Sequence, residues 1–265
     1  MAKHLAGNSR SKLIVELLEF FLFTVVIVWL LALGTERLGY RWQWYRIPRY
    51  IFTMEDGRLS AGLLLQGLAV TFKITGVSFL FASLIGLITA LFRLANAPCA
   101  KALARGYLEL IRNTPLLTQL FFIYFVIAPI IGMNSFTSAV LALSLFEGAY
   151  ASEIIRTGVL SIDRGQWEAA FSLGMSRGQT YRHVILPQAF RRMLPPLTSQ
   201  GISLVKDSAL VSTIAIYDLT MQGQAIVAET FLTFEIWFVV AAIYLAITFA
   251  LSAAVHVMEK RIAVT

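Results

Sequence analysis

Charge is absent from four long stretches of the chain: residues 20–34, 74–92, 114–146 and 236–258. A helix that crosses a bilayer needs ~20 mostly apolar residues, and 74–92 and 236–258 meet that requirement as they stand. The first stretch is short, but with 13–18 behind it the run becomes long enough and leaves Glu16 and Glu19 near the membrane edge. Gly132-Met133-Asn134-Ser135 is a turn signal and divides the long run into 114–131 and 136–155. A further span over about 194–216 carries Lys206 and Asp207. The pattern therefore predicts an all-α integral membrane protein of about six transmembrane helices. The last five form a group, and the first stands apart before a loop over 35–60.

Composition sharpens this reading. Hydrophobic residues make up 58% and charged residues 14%, against ~45–50% and ~25% in soluble domains. Disorder is excluded, since it needs low hydrophobicity and high charge. The single cysteine excludes a disulfide framework. His4, His183 and His256 stand too far apart for a helical His pair. With so apolar a chain, the net charge of +7 points to an anionic membrane surface and not to nucleic acid. Lys and Arg favour the cytoplasmic side of short loops. Fifteen of them fall in the two termini and the loops after spans two and four, against five in the loop after span one. Both termini are then cytoplasmic. The five outer residues, Arg37, Arg41, Arg46, Arg49 and Arg58, accompany Trp42, Trp44, Tyr45 and Tyr50. Residues 40–54 therefore read as an aromatic belt on the outer membrane surface. The basic start and Ala32-Leu33-Gly34 suggest a cleaved leader, but Glu16 and Glu19 argue for a retained helix.

The loop after span four is the most informative stretch. Residues 168–173 favour a helix, and Gly174 is a fitting stop. A second short helix over 179–190 is interrupted by Pro187. Glu168-Ala169-Ala170, three residues, Gly174, nine residues and then Val184-x-Leu186-Pro187 match the EAA signature of ABC importer permeases, departing only at Val184, where the signature has Ile. Residues 109–117, 148–156 and 204–210 extend the match. From about 63 to 261 the chain resembles the permease subunit of type I ABC importers for polar amino acids.

That resemblance implies a type I ABC importer transmembrane domain over 61–265, with cytoplasmic coupling helices in an EAA loop at about 160–192. Residues 1–60 form an extra helix and a periplasmic interfacial loop outside it. It also implies a bacterial cytoplasmic membrane location and import of a polar amino acid by alternating access, with glutamate, glutamine, aspartate or a basic amino acid as candidates. The implied partners are two ATP-binding subunits, a second permease, identical or homologous, and an extracytoplasmic binding protein, besides membrane lipid. No Gly is followed by Lys, so no P-loop is present. The chain needs no cofactor of its own, and ATP and Mg belong to the partner ATPase. Glu168, Ala169, Ala170, Gly174, Leu186 and Pro187 are the candidate ATPase-coupling residues.

A charge at mid-membrane costs at least ~2.5–3.5 kcal/mol, so each needs a reason. Lys206 and Asp207 are adjacent and point about 100° apart on a helix; each pairs with another helix or lines a path or gate. The resemblance favours the latter, since the family keeps a Lys-Asp/Asn-Ser/Thr stretch there. Glu147 either faces solvent or lines a cavity and meets a substrate ammonium group. Gln200 lies two turns before Asp207 on roughly the same face. Glu147, Gln200, Lys206 and Asp207 are thus the candidate path residues. Glu153 and Arg156 read as a structural pair, Lys73 as a snorkelling side chain, and Gly76, Ser83 and Gly86 as helix packing. The competing function is an ion-coupled secondary transporter using Glu147, Lys206 and Asp207. An intramembrane enzyme is disfavoured, because no nucleophile–base pair stands at helical spacing.

Overall fold

The computed structural model describes residues 15, 17–30, 33–34, 39–55 and 57–263. Residues 1–14, Glu16 and Arg37, used above for topology and leader arguments, lie outside the described residues. Packing divides the chain into two compact units, one ending at Trp44 and one beginning at Tyr45. The boundary falls within the 1–60 region read above as an N-terminal extension.

The first unit holds α1 (Leu17–Leu30), whose large apolar side chains are exposed. In the same unit Trp42 and Trp44 stack with ring centroids 5.7 Å apart, and Tyr40 meets Trp42 edge-on.

The second unit begins with a helical turn (Pro48–Ile51) and an antiparallel hairpin of β1 (Phe52–Glu55) and β2 (Arg58–Ala61). Helices α2 (Leu63–Leu94), α3 (Pro98–Arg112), α4 (Leu116–Ile131) and α5 (Ser135–Leu160) follow. Next come α6 (Arg164–Ser172), a turn (Arg177–Thr180), a π-helical turn (Tyr181–Ile185) and α7 (Leu186–Asp207). A 3₁₀ segment (Ser208–Ile214), α8 (Leu219–Thr230) and α9 (Thr233–Ala263) complete the unit.

Among the described residues α2, α5 and Thr233–Lys260 of α9 are each long and apolar enough to cross a membrane, and the bent pair α3–α4 is a fourth if it counts as one span. The spans expected at 74–92, 114–131, 136–155 and 236–258 fall on helices, so the count of six is not matched one for one, and two loops of the sequence reading are not loops. Residues 98–112 form the amphipathic α3, which buries Ala104, Leu108 and Ile111. That i, i+4, i+7 spacing makes one apolar face. α4 leaves α3 at 103°, because Pro115 disfavours helical geometry at Thr114. Buried Gln119 closes the corner: its Nε2 donates to the carbonyls of Ile111 and Thr114, both at 2.8 Å, satisfying groups the end of α3 leaves open.

The span expected at 194–216 is also different. α7 ends at Asp207, the chain tightens into the 3₁₀ segment, and Ala215 turns it at φ 58°. The expected outer loop beyond contains α8. Fully buried Asp218 caps α8, its Oδ1 accepting from the Met221 amide at 2.8 Å and its Oδ2 from Tyr244 at 3.4 Å. Leu219 N donates to the buried Thr71 hydroxyl of α2 at 3.2 Å. Asp218→Ala is therefore expected to cost about 1–2 kcal/mol, the range of a lost N-cap. Thermal unfolding in detergent checks this, and Asp218→Asn should retain most of the stability.

Two apolar clusters hold the unit together. Ile74, Leu120, Leu143, Leu204 and Ile214 join α2, α4, α5, α7 and the 3₁₀ segment. Ile47, Tyr50, Leu64, Leu219, Ile226 and Ile236 tie the first helical turn to α2, α8 and α9. Tyr50 is thus a core residue and not part of a surface belt: Arg49 donates to its hydroxyl and lies 4.8 Å from its ring centroid. Of the small residues expected to pack in α2, Gly86 does so and Gly76 does not. A Cβ at Gly86 would lie 2.7 Å from the Ala151 Cβ, whereas one at Gly76 meets nothing within 4 Å. Ser83 is half-buried, its hydroxyl donating back to Phe79 O at 2.7 Å.

Candidate functional site

The 160–192 loop folds as a helical corner. Asp163 Oδ1 accepts from Gly165 N at 2.7 Å and starts α6. Gly174, at φ +76°, ends it, with Gly174 N donating to Phe171 O and Met175 N to Ala170 O. Only a residue without a Cβ adopts this conformation freely. A reciprocal capping box of Ser176 and Gln179 starts the next turn.

The expected interruption at Pro187 is absent. The chain runs helically from Arg177 to Asp207 because the π turn Tyr181–Ile185 precedes the proline and absorbs the backbone hydrogen bond that proline cannot donate. Trp167 meets Tyr181 edge-on at 5.0 Å, and Val159, Ile162, Ile185, Ala189 and Met193 form the cluster beneath.

The candidate coupling residues divide between this anchor and the surface. Ala170 is buried within the chain, so Ala169 alone of the two alanines is exposed. Glu168 is exposed and pairs with Arg164 at 3.0 Å one turn back; such a pair is weak and exchangeable. Leu186 and Pro187 are also exposed. Sequence reasoning missed Phe171, Leu173 and Phe190, large apolar side chains that lie exposed on the same corner. Their surface patch is the signal for a protein partner. The corner is fixed to the helices above it: Arg192 Nη1 donates to Ser161 O at 2.5 Å. Arg93 at the end of α2 pairs with Glu153, which also holds Arg156 at 3.0 Å. The Glu153–Arg156 pair was expected from sequence; the contribution of Arg93 was not.

The second group lies inside the bundle. Glu147 of α5 is 2% exposed. Its Oε2 accepts from Gln200 Nε2 of α7 at 2.5 Å, and the Asp207 carboxylate stands close enough for the two charges to interact. Glu147 therefore does not face solvent, the first of the two environments considered for it. Gln200 and Asp207 do share a face, two turns apart, while the neighbouring Lys206 is exposed. Two acidic groups and an amide thus converge between α5 and α7, an arrangement suited to a ligand bearing hydrogen-bond donors or positive charge. A separate cleft of about 400 Å³, lined by Phe72, Phe79, Gly201, Val205 and Val255, is almost wholly apolar and includes none of these groups. Among the described residues no cluster of three or more metal-ligating side chains occurs.

An apolar helical bundle with an exposed apolar corner and buried polar groups between its helices is consistent with a transport subunit, and comparison with known proteins agrees. Residues 82–264 match the family described as binding-protein-dependent transport system inner membrane component. The chain is 42% identical over 202 residues to the L-cystine transport system permease protein of Bacillus subtilis, covering 76% of this chain and 86% of that one. It is 41% identical over 202 residues to the glutamine transport system permease protein of Escherichia coli K12, covering 75% and 92%. Among solved structures, a crystal structure of an amino acid ABC transporter with histidines superposes with a TM-score of 0.71 at 41% identity, over 75% of this chain and 94% of that one. The inward-facing MetNI methionine transporter, at 22% identity and a TM-score of 0.60, shares the fold. The chain belongs to the family of binding-protein-dependent transport system inner membrane components. It is a permease subunit of an ABC importer, an inner-membrane transport protein and not an enzyme.

Proposed function

We propose that this permease imports a polar amino acid by alternating access, driven by a separate ATPase that docks on α6. The observation that carries the coupling reading is the corner itself. α6 exposes Glu168, Ala169 and Phe171, and its C-cap exposes Leu173, while Ala170 is buried and Trp167 packs on the cluster at the base of α5 and α7. A partner that moves α6 moves those helices as a rigid body. ATP and Mg reside on that partner, in two copies, and a second permease, identical or homologous, completes the transport path. Gly174, Leu186 and Pro187 shape and continue the corner. The N-terminal unit and the outer hairpin lie outside this machinery, and both termini are cytoplasmic.

The substrate class rests on two supports. The relatives are permeases for cystine, glutamine and nopaline. Glu147, Gln200 and Asp207 offer carboxylate and amide oxygens inside the bundle, suited to a ligand ammonium group, with Lys206 at the edge of the path.

Reconstitution tests the reading. Proteoliposomes holding this permease, its ATPase and its binding protein are expected to take up labelled amino acid only with ATP inside the ATPase compartment. Vesicles holding this chain alone should show none. Uptake by the chain alone, driven by an ion gradient, would instead establish a secondary transporter.

A further inference from the structure

The outer hairpin is amphipathic in an unusual sense: its apolar face points outward. The register pairs Phe52 with Ala61 and Met54 with Leu59 on one face, and Thr53 with Ser60 on the other. Thr53 and Ser60 are half-buried and their hydroxyls lie 3.1 Å apart in a mutual hydrogen bond. Phe52, Met54 and Leu59 are 51%, 81% and 68% exposed. A hairpin in water would turn these side chains in.

The hairpin's depth is set by what it is fastened to. β2 ends at Ala61, and a single residue separates it from α2. A Cβ on the intervening Gly62 would lie 2.5 Å from the Tyr50 backbone, and Gly62 N donates to Ile51 O at 2.8 Å, so the hairpin cannot swing away from the helix end. α2 has 32 residues and is ~48 Å long at ~1.5 Å per residue, against ~40–45 Å for a bilayer with its headgroups. Its first turn therefore stands at headgroup level, on the face opposite the corner where Arg93 meets Glu153.

We propose that the apolar face formed by Phe52, Met54, Leu59 and Ala61 is seated in the headgroup–acyl boundary of the membrane and anchors the outer end of α2 there. Exposed Tyr45 and Arg58, with Arg49 on the adjoining turn, supply the aromatic and cationic groups that favour that level. A protein partner fits less well, because four side chains offer far less than the ~800 Å² per partner of a stable interface. The hairpin also lies outside the residues matched to the family.

The test is site-directed labelling of the full chain in phosphatidylethanolamine–phosphatidylglycerol vesicles. Met54→Cys and Leu59→Cys, each with Cys99→Ser, carry a polarity-sensitive fluorophore, and Arg177→Cys serves as an aqueous control. Labels at 54 and 59 are expected to emit in the blue and to be quenched about twofold or more by lipids brominated near the headgroup, as an interfacial depth requires. The control should emit as in water. Water-like emission without lipid quenching at both positions overturns the proposal. So does shielding that arises only when the binding protein is added, which would make the face a docking site for protein.

Discussion

Gly67→Val is expected to unfold the part of the permease where α8 packs on α2, whereas Gly76→Ala, nine residues along the same helix, should be neutral or mildly stabilising. A Cβ at Gly67 would lie 2.7 Å from the Asp218 carbonyl oxygen and 2.7 Å from Gln222 Cγ. The first of these is backbone, held by the Asp218 cap and by the bond from Leu219 N to Thr71, so it cannot rotate aside. α2 and α8 must part, and the cost should reach or exceed the upper end of the ~1–3 kcal/mol typical of overpacking. At Gly76 nothing lies within 4 Å, and exchanging a helical glycine for alanine is worth about 0.5–1 kcal/mol. Thermal unfolding of both variants in one detergent makes the comparison. Equal stability of the two would mean that α8 does not pack against α2 as described.

What the sequence disclosed, and what it hid, follows from the kind of signal each element carries. α2 and α9 announce themselves because lipid-facing helices need no polar face, so charge simply disappears over 74–92 and 236–258. The stop at Gly174 was legible because a left-handed residue after a helix favours glycine for a local reason. α3 was hidden: its Lys101, Arg105 and Arg112 speak for topology, and that reading passes over the apolar period of Ala104, Leu108 and Ile111. α8 was hidden too, since Gln222, Gly223 and Gln224 break its pattern and its stability comes from tertiary partners, Thr71 above all. The helix through Pro187 depends on a π turn that no local rule announces. At the site, the periodicity of α7 correctly set Gln200 and Asp207 on one face. Only packing could reveal that the face meets Glu147, 53 residues away, or that Arg93 reaches Glu153 across 60.

Glu147→Gln should raise the stability of the permease while lowering uptake by the complete transporter at least tenfold. The two effects have one origin. A carboxylate that is 2% exposed inside a membrane bundle carries a desolvation cost of several kcal/mol, and the Gln200 amide donates to it. The Asp207 carboxyl stands beside it. An amide at position 147 keeps the volume and a hydrogen bond to Gln200 while removing that cost, so the folded state gains. A residue this unfavourable persists where function needs the charge, and the proposed role, receiving a substrate ammonium group between α5 and α7, is what the uptake measurement tests. About tenfold in rate corresponds to ~1.4 kcal/mol, a modest share of a buried charge pair, so a smaller loss would be hard to reconcile with a direct contact. The readouts are thermal unfolding of the purified permease and ATP-driven uptake in proteoliposomes, with assembly with the ATPase confirmed by co-purification. Unchanged uptake with raised stability would remove Glu147 from the transport path. Lowered stability would make its bond to Gln200 a structural one.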